Sequence, residues 1–156
     1  INTNAGGGLL NARLATAQRA CCDPVAKLMP KPGDIEAGFV AMFREEWRRV
    51  HGDAPLTCIA IVDEEPAAQY LAPEFELFRR LFEANGITAV IADPSEFLWD
   101  GERLLHGGQA VDLVYNRLTD FSLDDPIAAS PRAINRPVGV LGRQGAGSPF
   151  PREARE

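Results

Sequence analysis

Residues 56–92 read LTCIAIVDEEPAAQYLAPEFELFRRLFEANGITAVIA. Two short apolar runs, at 56–62 and 87–92, frame a segment in which Phe75, Phe78, Leu81 and Phe82 recur at helical spacing. A continuous apolar run without alternation suits a strand covered on both faces, as in a parallel sheet. Asp63-Glu64-Glu65-Pro66 leaves the first run as a loop, Pro73 suits the first turn of a helix, and Asn85-Gly86 ends it. The stretch therefore predicts a β-α-β unit with a right-handed crossover.

Working outward, Phe97-Leu98-Trp99, the turn Asp100-Gly101 and Arg103-Leu104-Leu105 predict a small β-hairpin. Residues 111–115 predict a third core strand that runs into Asn116-Arg117-Leu118. Upstream, Ile35, Phe39, Met42/Phe43, Trp47 and Val50 mark an amphipathic helix, with Asp34 as its N-cap and Gly52 as its stop. Leu9, Leu10, Leu14 and Ala17 mark another, which enters from Gly6-Gly7-Gly8 and ends near Cys22. The predicted class is α/β: a small Rossmann-like parallel sheet with a β-hairpin insertion and N-terminal helices. The organisation expected is a strand fragment and helical arm at 1–54, the Rossmann-like domain at 55–125, and a mobile Pro/Arg/Gly-rich tail at 126–156.

Charge supports that last boundary. Five Arg and two Glu give the tail +3, which leaves −9 for residues 1–125 within a net charge of −6. The only apolar cluster of the tail is Val138, Val140 and Leu141, too little to offset the entropy of ordering it. An acidic body argues against nucleic acid as a partner, since that needs a basic footprint. No apolar run approaches the roughly 18–20 residues of a membrane-spanning helix. The 156 residues suffice for one domain but not for a multidomain enzyme. Three cysteines without metal-ligand spacing fit inert thiols in a reducing, cytoplasmic compartment. His51 and His106 stand in loop-like sequence, each without the Ser, Cys or Asp set of a triad.

Several residues carry possible chemistry. Gly6-Gly7-Gly8 opening a helix would let backbone N–H groups approach an anion, or would be a plain flexible turn. It lacks the third glycine of the dinucleotide fingerprint and the G-K-[ST] of a P-loop. Asp63, Glu64, Glu65 and Asp93 follow strand ends where open α/β sheets place ligands, and would otherwise be solvated caps. Arg117, past the third strand, offers a planar fork for a carboxylate or phosphate, or a surface pair to Asp120, Asp124 or Asp125.

FELFRRLFEANGITAVIA at 75–92, then DGERLL at 100–105, then VDLVYNRLTDF at 111–121, resemble the circularly permuted ATP-grasp proteins of the glutathionylspermidine synthase-like kind. The resemblance covers residues 1–126 and rests on the order of these words. It implies a pre-ATP-grasp substrate domain of an ATP-dependent carboxylate–amine ligase. ATP and Mg²⁺ are then the cofactors, and a small carboxylate and an amine the substrates. It aligns Asn2 with the metal-binding Asn of the family's E-x-N strand, so that Ile1 falls inside a strand and the chain is read as an excerpt. Gly6 and Gly7 lie on the substrate-holding stretch that follows, where the absence of a hydroxyl after Thr3 departs from the glutathione-binding pattern. Arg117 matches the second arginine of the family's strand-end word, with Asn116 in place of the first. Residues 126–156 contain no Lys, so the nucleotide-binding lobes are expected elsewhere and the chain is expected to be inactive alone. Missing lobes would leave an exposed helix face and a tendency to self-associate. The alternatives are a non-catalytic α/β binding or interaction module and, less favoured by the broken glycine pattern, a nucleotide-binding protein of another class.

Overall fold

A computed structural model describes residues 7–21, 27, 33–118 and 139–141. The chain is α/β, built on a small Rossmann-like sheet. The elements run α1 (Gly8–Cys21), α2 (Asp34–His51), β1 (Cys58–Val62), α3 (Ala72–Ala84), β2 (Thr88–Ala92), β3 (Phe97–Trp99), β4 (Leu104–His106), β5 (Gln109–Val111), β6 (Leu113–Asn116) and β7 (Gly139–Leu141). Short 3-10 turns at Pro66–Ala68 and Pro94–Glu96 follow β1 and β2.

The main sheet has the order β2-β1-β6-β7, and every neighbouring pair is parallel. All five residues of β1 are buried, as its unbroken apolar run requires of a strand covered on both faces. The pleat sends Ile59 and Ile61 to one face, where Leu113, Phe43 of α2 and Phe75, Phe78 and Phe82 of α3 join them, with Leu9 of α1. Cys58, Ala60 and Val62 point to the other face, against Phe97, Leu104 and Val111 of the smaller sheet β3-β4-β5. The helical side is aromatic. Phe43 meets Phe82 edge-on at 4.9 Å and Tyr115 at 5.1 Å, and Phe78 meets Tyr115 at 5.1 Å. Each buried ring of this kind contributes about 1.5–3 kcal/mol through the area it removes from water. Tyr115 thus keys β6 into the helical layer.

The helix and strand positions follow the sequence with specific corrections. The N-cap of α2 is Gly33, left-handed at φ 91°, and Asp34 falls inside the helix as a first-turn carboxylate. Val40 packs inward while Met42 and Val50 are exposed, so the apolar stripe is rotated from the one read by spacing. Both histidines lie in regular structure: His51 closes α2 and His106 closes β4. The single third strand read over 111–115 is two strands. Val111 ends β5 in the antiparallel sheet, whose tight turn places Gly107 and Gly108 at positive φ, and Leu113 begins β6 in the parallel sheet.

Asp112 makes that change of sheet possible. Its Oδ2 accepts from the Thr57 N–H at 2.7 Å, the Thr57 hydroxyl at 2.6 Å and the Cys58 N–H at 2.9 Å, and its own N–H donates to the Cys58 carbonyl at 3.0 Å. The corner is pinned to the start of β1, which sets the register of β6. The strand β7 falls on the apolar cluster of the tail, with Gly139–Leu141 paired to Leu113, Val114 and Tyr115. The strand expected at 1–3, Cys22, the linker prolines Pro30 and Pro32, and the rest of 119–156 lie outside the described residues.

Asp112→Ala removes three hydrogen bonds to a charged acceptor and is expected to lower unfolding stability by about 1–3 kcal/mol. Urea denaturation checks this through a lower midpoint at an unchanged slope.

Candidate functional site

The chain passes from β1 through α3 to β2 on one side, then returns past β1 to place β6 on the other. In open α/β sheets the carboxyl ends of two strands that diverge in this way flank a crevice where ligands bind. Here those strands are β1 and β6, and the residues that follow them are Asp63 and Arg117.

The Arg117 N–H donates to the Val62 carbonyl at 2.8 Å, extending the β1–β6 pairing by one residue and fixing where its side chain starts. That side chain is 4% exposed. Nη1 donates to the Tyr115 hydroxyl at 2.9 Å, and the guanidinium carbon stands 5.2 Å from the centre of the Tyr115 ring and 5.9 Å from that of Phe75. Nη2 lies 3.6 Å from Oε2 of Glu74, an ion pair longer than a hydrogen bond.

Glu74 sits in the first turn of α3 and is 1% exposed. Its Oε2 accepts from the Gly7 N–H at 2.7 Å and its Oε1 from the Leu9 N–H at 2.9 Å. One carboxylate therefore lies at the positive ends of two helices, α1 and α3, and beside a guanidinium. Taking a carboxylate out of water costs several kcal/mol, which pairing offsets only when its lone pairs are also satisfied. Two amide donors and Arg117 do so here.

Asp63 follows β1 at the same edge of the sheet. It is 8% exposed, and its Oδ1 accepts from the Glu64 N–H at 2.9 Å. Burial pushes its carboxyl above the usual range, against the opposing effects of the Glu64 N–H and the Arg117 charge. Burial also raises the Tyr115 phenol, with Arg117 acting the other way.

The neighbouring carboxylates are structural. Asp93 accepts from the Ser95 hydroxyl at 2.6 Å, the Ser95 N–H at 2.9 Å and the Glu65 N–H at 2.9 Å, bonds that hold its carboxyl below its ordinary value. With Glu96 it forms a capping box on the turn after β2. Glu65 carries the one positive φ outside glycine among the described residues, 40°, held by its N–H bond to Asp93.

Of the residues singled out in the sequence, Gly7 and Arg117 meet on the same oxygen of Glu74, whereas Asn2 and Gly6 lie outside the described residues. The Gly7 amide points at an internal carboxylate. The expected surface partners of Arg117 (Asp120, Asp124 and Asp125) lie outside the described residues, and among the described residues the buried Glu74 pairs with it. Sequence reasoning missed Glu74. Pro73-Glu74 opening a helix after a strand was its one local signal, and its burial depends on α1, whose Gly7 is 67 residues away. His51 stacks on Trp47 at 3.7 Å, and His106 stands 3.4 Å from Glu96. Cys58 is buried, its thiol pushed up to about 11 by burial and by the Asp112 charge, and is chemically inert. Among the described residues no group of three or more His, Cys, Asp or Glu side chains could hold a metal ion, and no helix is long and apolar enough to cross a membrane.

No family model matches the chain, and no curated protein matches it.

The raised carboxyl of Asp63 has a signed consequence for stability. An acid that binds its proton more tightly when folded stabilises fully below its unfolded value, and that contribution is lost as pH rises through the higher folded value. Asp63→Asn is therefore expected to stabilise the protein at neutral pH, with a gain that shrinks as pH falls toward the ordinary range of Asp. Thermal unfolding of both proteins from pH 4 to pH 7 checks the trend.

Proposed function

We propose that the chain supplies the substrate-binding domain of an ATP-dependent carboxylate–amine ligase of the circularly permuted ATP-grasp type, working in a reducing, cytoplasmic setting. One observation carries this reading. Gly7 and Arg117, the two described residues that the sequence resemblance assigns to the substrate side, both face one oxygen of Glu74 near the carboxyl edge of the sheet although they are far apart in the chain. The element order and the antiparallel insertion between β2 and β6 fit the same reading.

ATP and Mg²⁺ would be the cofactors of the whole enzyme. Mg²⁺ takes hard oxygen ligands in octahedral geometry, usually one or two carboxylates with substrate phosphates. The described carboxylates do not fit that role. Asp93 is committed to its cap, Glu74 to Arg117 and two amides, and burial, which pushes the Asp63 carboxyl above its usual range, works against the charged form that a cation needs. The reading thus assigns this part of the chain the substrate side alone, where Arg117 would orient a carboxylate and the buried edge would exclude water. Small carboxylates and amines are the partners it implies.

A second reading, a non-catalytic α/β binding module, is favoured by the Glu74 carboxylate already occupying the amides of Gly7 and Leu9.

Release of ADP separates the two. Residues 1–156 with Mg-ATP, a panel of carboxylates and a panel of amines are expected to release none. The protein translated with its flanking coding sequence is expected to release ADP only when both an acid and an amine are present, with Arg117→Ala raising the KM for one of them. Turnover by residues 1–156 alone, or flanking sequence without Lys-bearing lobes, would overturn the ligase reading.

A further inference from the structure

Asn85 and Gly86 form the only Asn-Gly pair in the sequence, and both are exposed. In such a pair the glycine nitrogen, unhindered by a side chain, can attack the side-chain amide carbon of the asparagine. A C–N bond forms, and the amide nitrogen leaves as ammonia, carrying the glycine proton. Water then opens the resulting succinimide to aspartate or isoaspartate. Ring closure has a geometric demand: Cβ of the asparagine must eclipse the glycine nitrogen across the Cα–C bond. Here ψ of Asn85 is 15°, so its own backbone nitrogen takes that place and the ring needs a large rotation about ψ.

The end of α3 resists that rotation. The Gly86 N–H donates to the Glu83 carbonyl at 3.1 Å and the Ile87 N–H to the Phe82 carbonyl at 3.0 Å, the paired bonds of a Schellman turn with Gly86 left-handed at φ 77°. Ile87 and Phe82 are both buried in the aromatic layer. The Asn85 side-chain amide donates to the Leu81 carbonyl at 2.8 Å, which turns it back along the helix. From α2, Nη2 of Arg44 donates to the Asn85 carbonyl at 2.8 Å, and that carbonyl must swing when ψ turns. We propose that Asn85-Gly86 is a deamidation site that this turn holds closed, with Arg44 as its pin. Opening of the ring to isoaspartate inserts a carbon into the main chain between Phe82 and Ile87. The Schellman bonds and the pairing of Thr88 with Cys58 then cannot both be kept, so conversion at this site loosens the start of β2.

Deamidation of the full chain at mildly alkaline pH is followed by peptide mass spectrometry, and isoaspartate by methyl transfer from an isoaspartate methyltransferase. In native buffer the wild-type protein is expected to convert Asn85 about tenfold or more slowly than in denaturing urea, where the turn is lost. Arg44→Met removes the pin and is expected to raise the native rate about threefold or more while leaving the rate in urea unchanged. Leu104→Val weakens the core on the opposite face of the sheet and is expected to leave the native rate as in the wild type, because the opening is local. Equal rates in native buffer and urea would overturn the proposal, as would the absence of conversion in both. A native rate unmoved by Arg44→Met, or raised as much by Leu104→Val, would overturn the role of Arg44.

Discussion

A carboxylate that is 1% exposed must find compensation for the hydration it has lost, and Glu74 finds it in three separate parts of the chain. Its own backbone belongs to α3, its two amide donors to the start of α1, and its guanidinium partner to the end of β6. None of these alone would hold a buried charge, since an ion pair without further hydrogen bonds seldom recovers the cost of desolvation. The arrangement therefore couples the N-terminal helix to the edge of the sheet. It also explains why Arg117 is buried in an acidic chain: Tyr115 and Phe75 supply ring faces on which a weakly hydrated guanidinium rests, and Glu74 supplies the charge.

The parts of this fold that were legible in sequence are those decided by local periodicity. The unbroken run through Ile59 and Ile61 signals burial on both faces, and Phe75, Phe78 and Phe82 mark the inward side of α3. Features that depend on long-range contacts were not legible. Asp112 looks like one residue of a strand, yet its side chain bonds to Thr57 and Cys58, and that reach across the sheet divides β5 from β6. Glu74 looks like an ordinary helix-opening acid until α1 is laid over it. Met42 and Val50 match helical spacing as well as Val40 does, and only the position of the sheet decides which of them turns inward.

The candidate site shows the same division. Arg117 and Asp63 could be found from their places after strand ends, because the carboxyl edge of a parallel sheet is where the crevice forms. Their electrostatic state could not, since it is set by how deeply the crevice is covered. With Arg117 and the amides of Gly7 and Leu9 all turned toward one internal acid, the edge as described is filled by the protein's own groups. A ligand of this crevice must contend with that acid, whether the domain serves a ligase or a binding module.

The dependence of the structure on this buried contact is tested most directly by a double-mutant cycle of Glu74→Gln and Arg117→Met, read by urea unfolding. If the two side chains form one buried unit that holds the crevice together, the single variants are strongly destabilised and the double variant recovers part of the loss. The expected coupling is about 2 kcal/mol. Additive effects, with a coupling near zero, would show that Glu74 and Arg117 act independently and would contradict the role assigned to them.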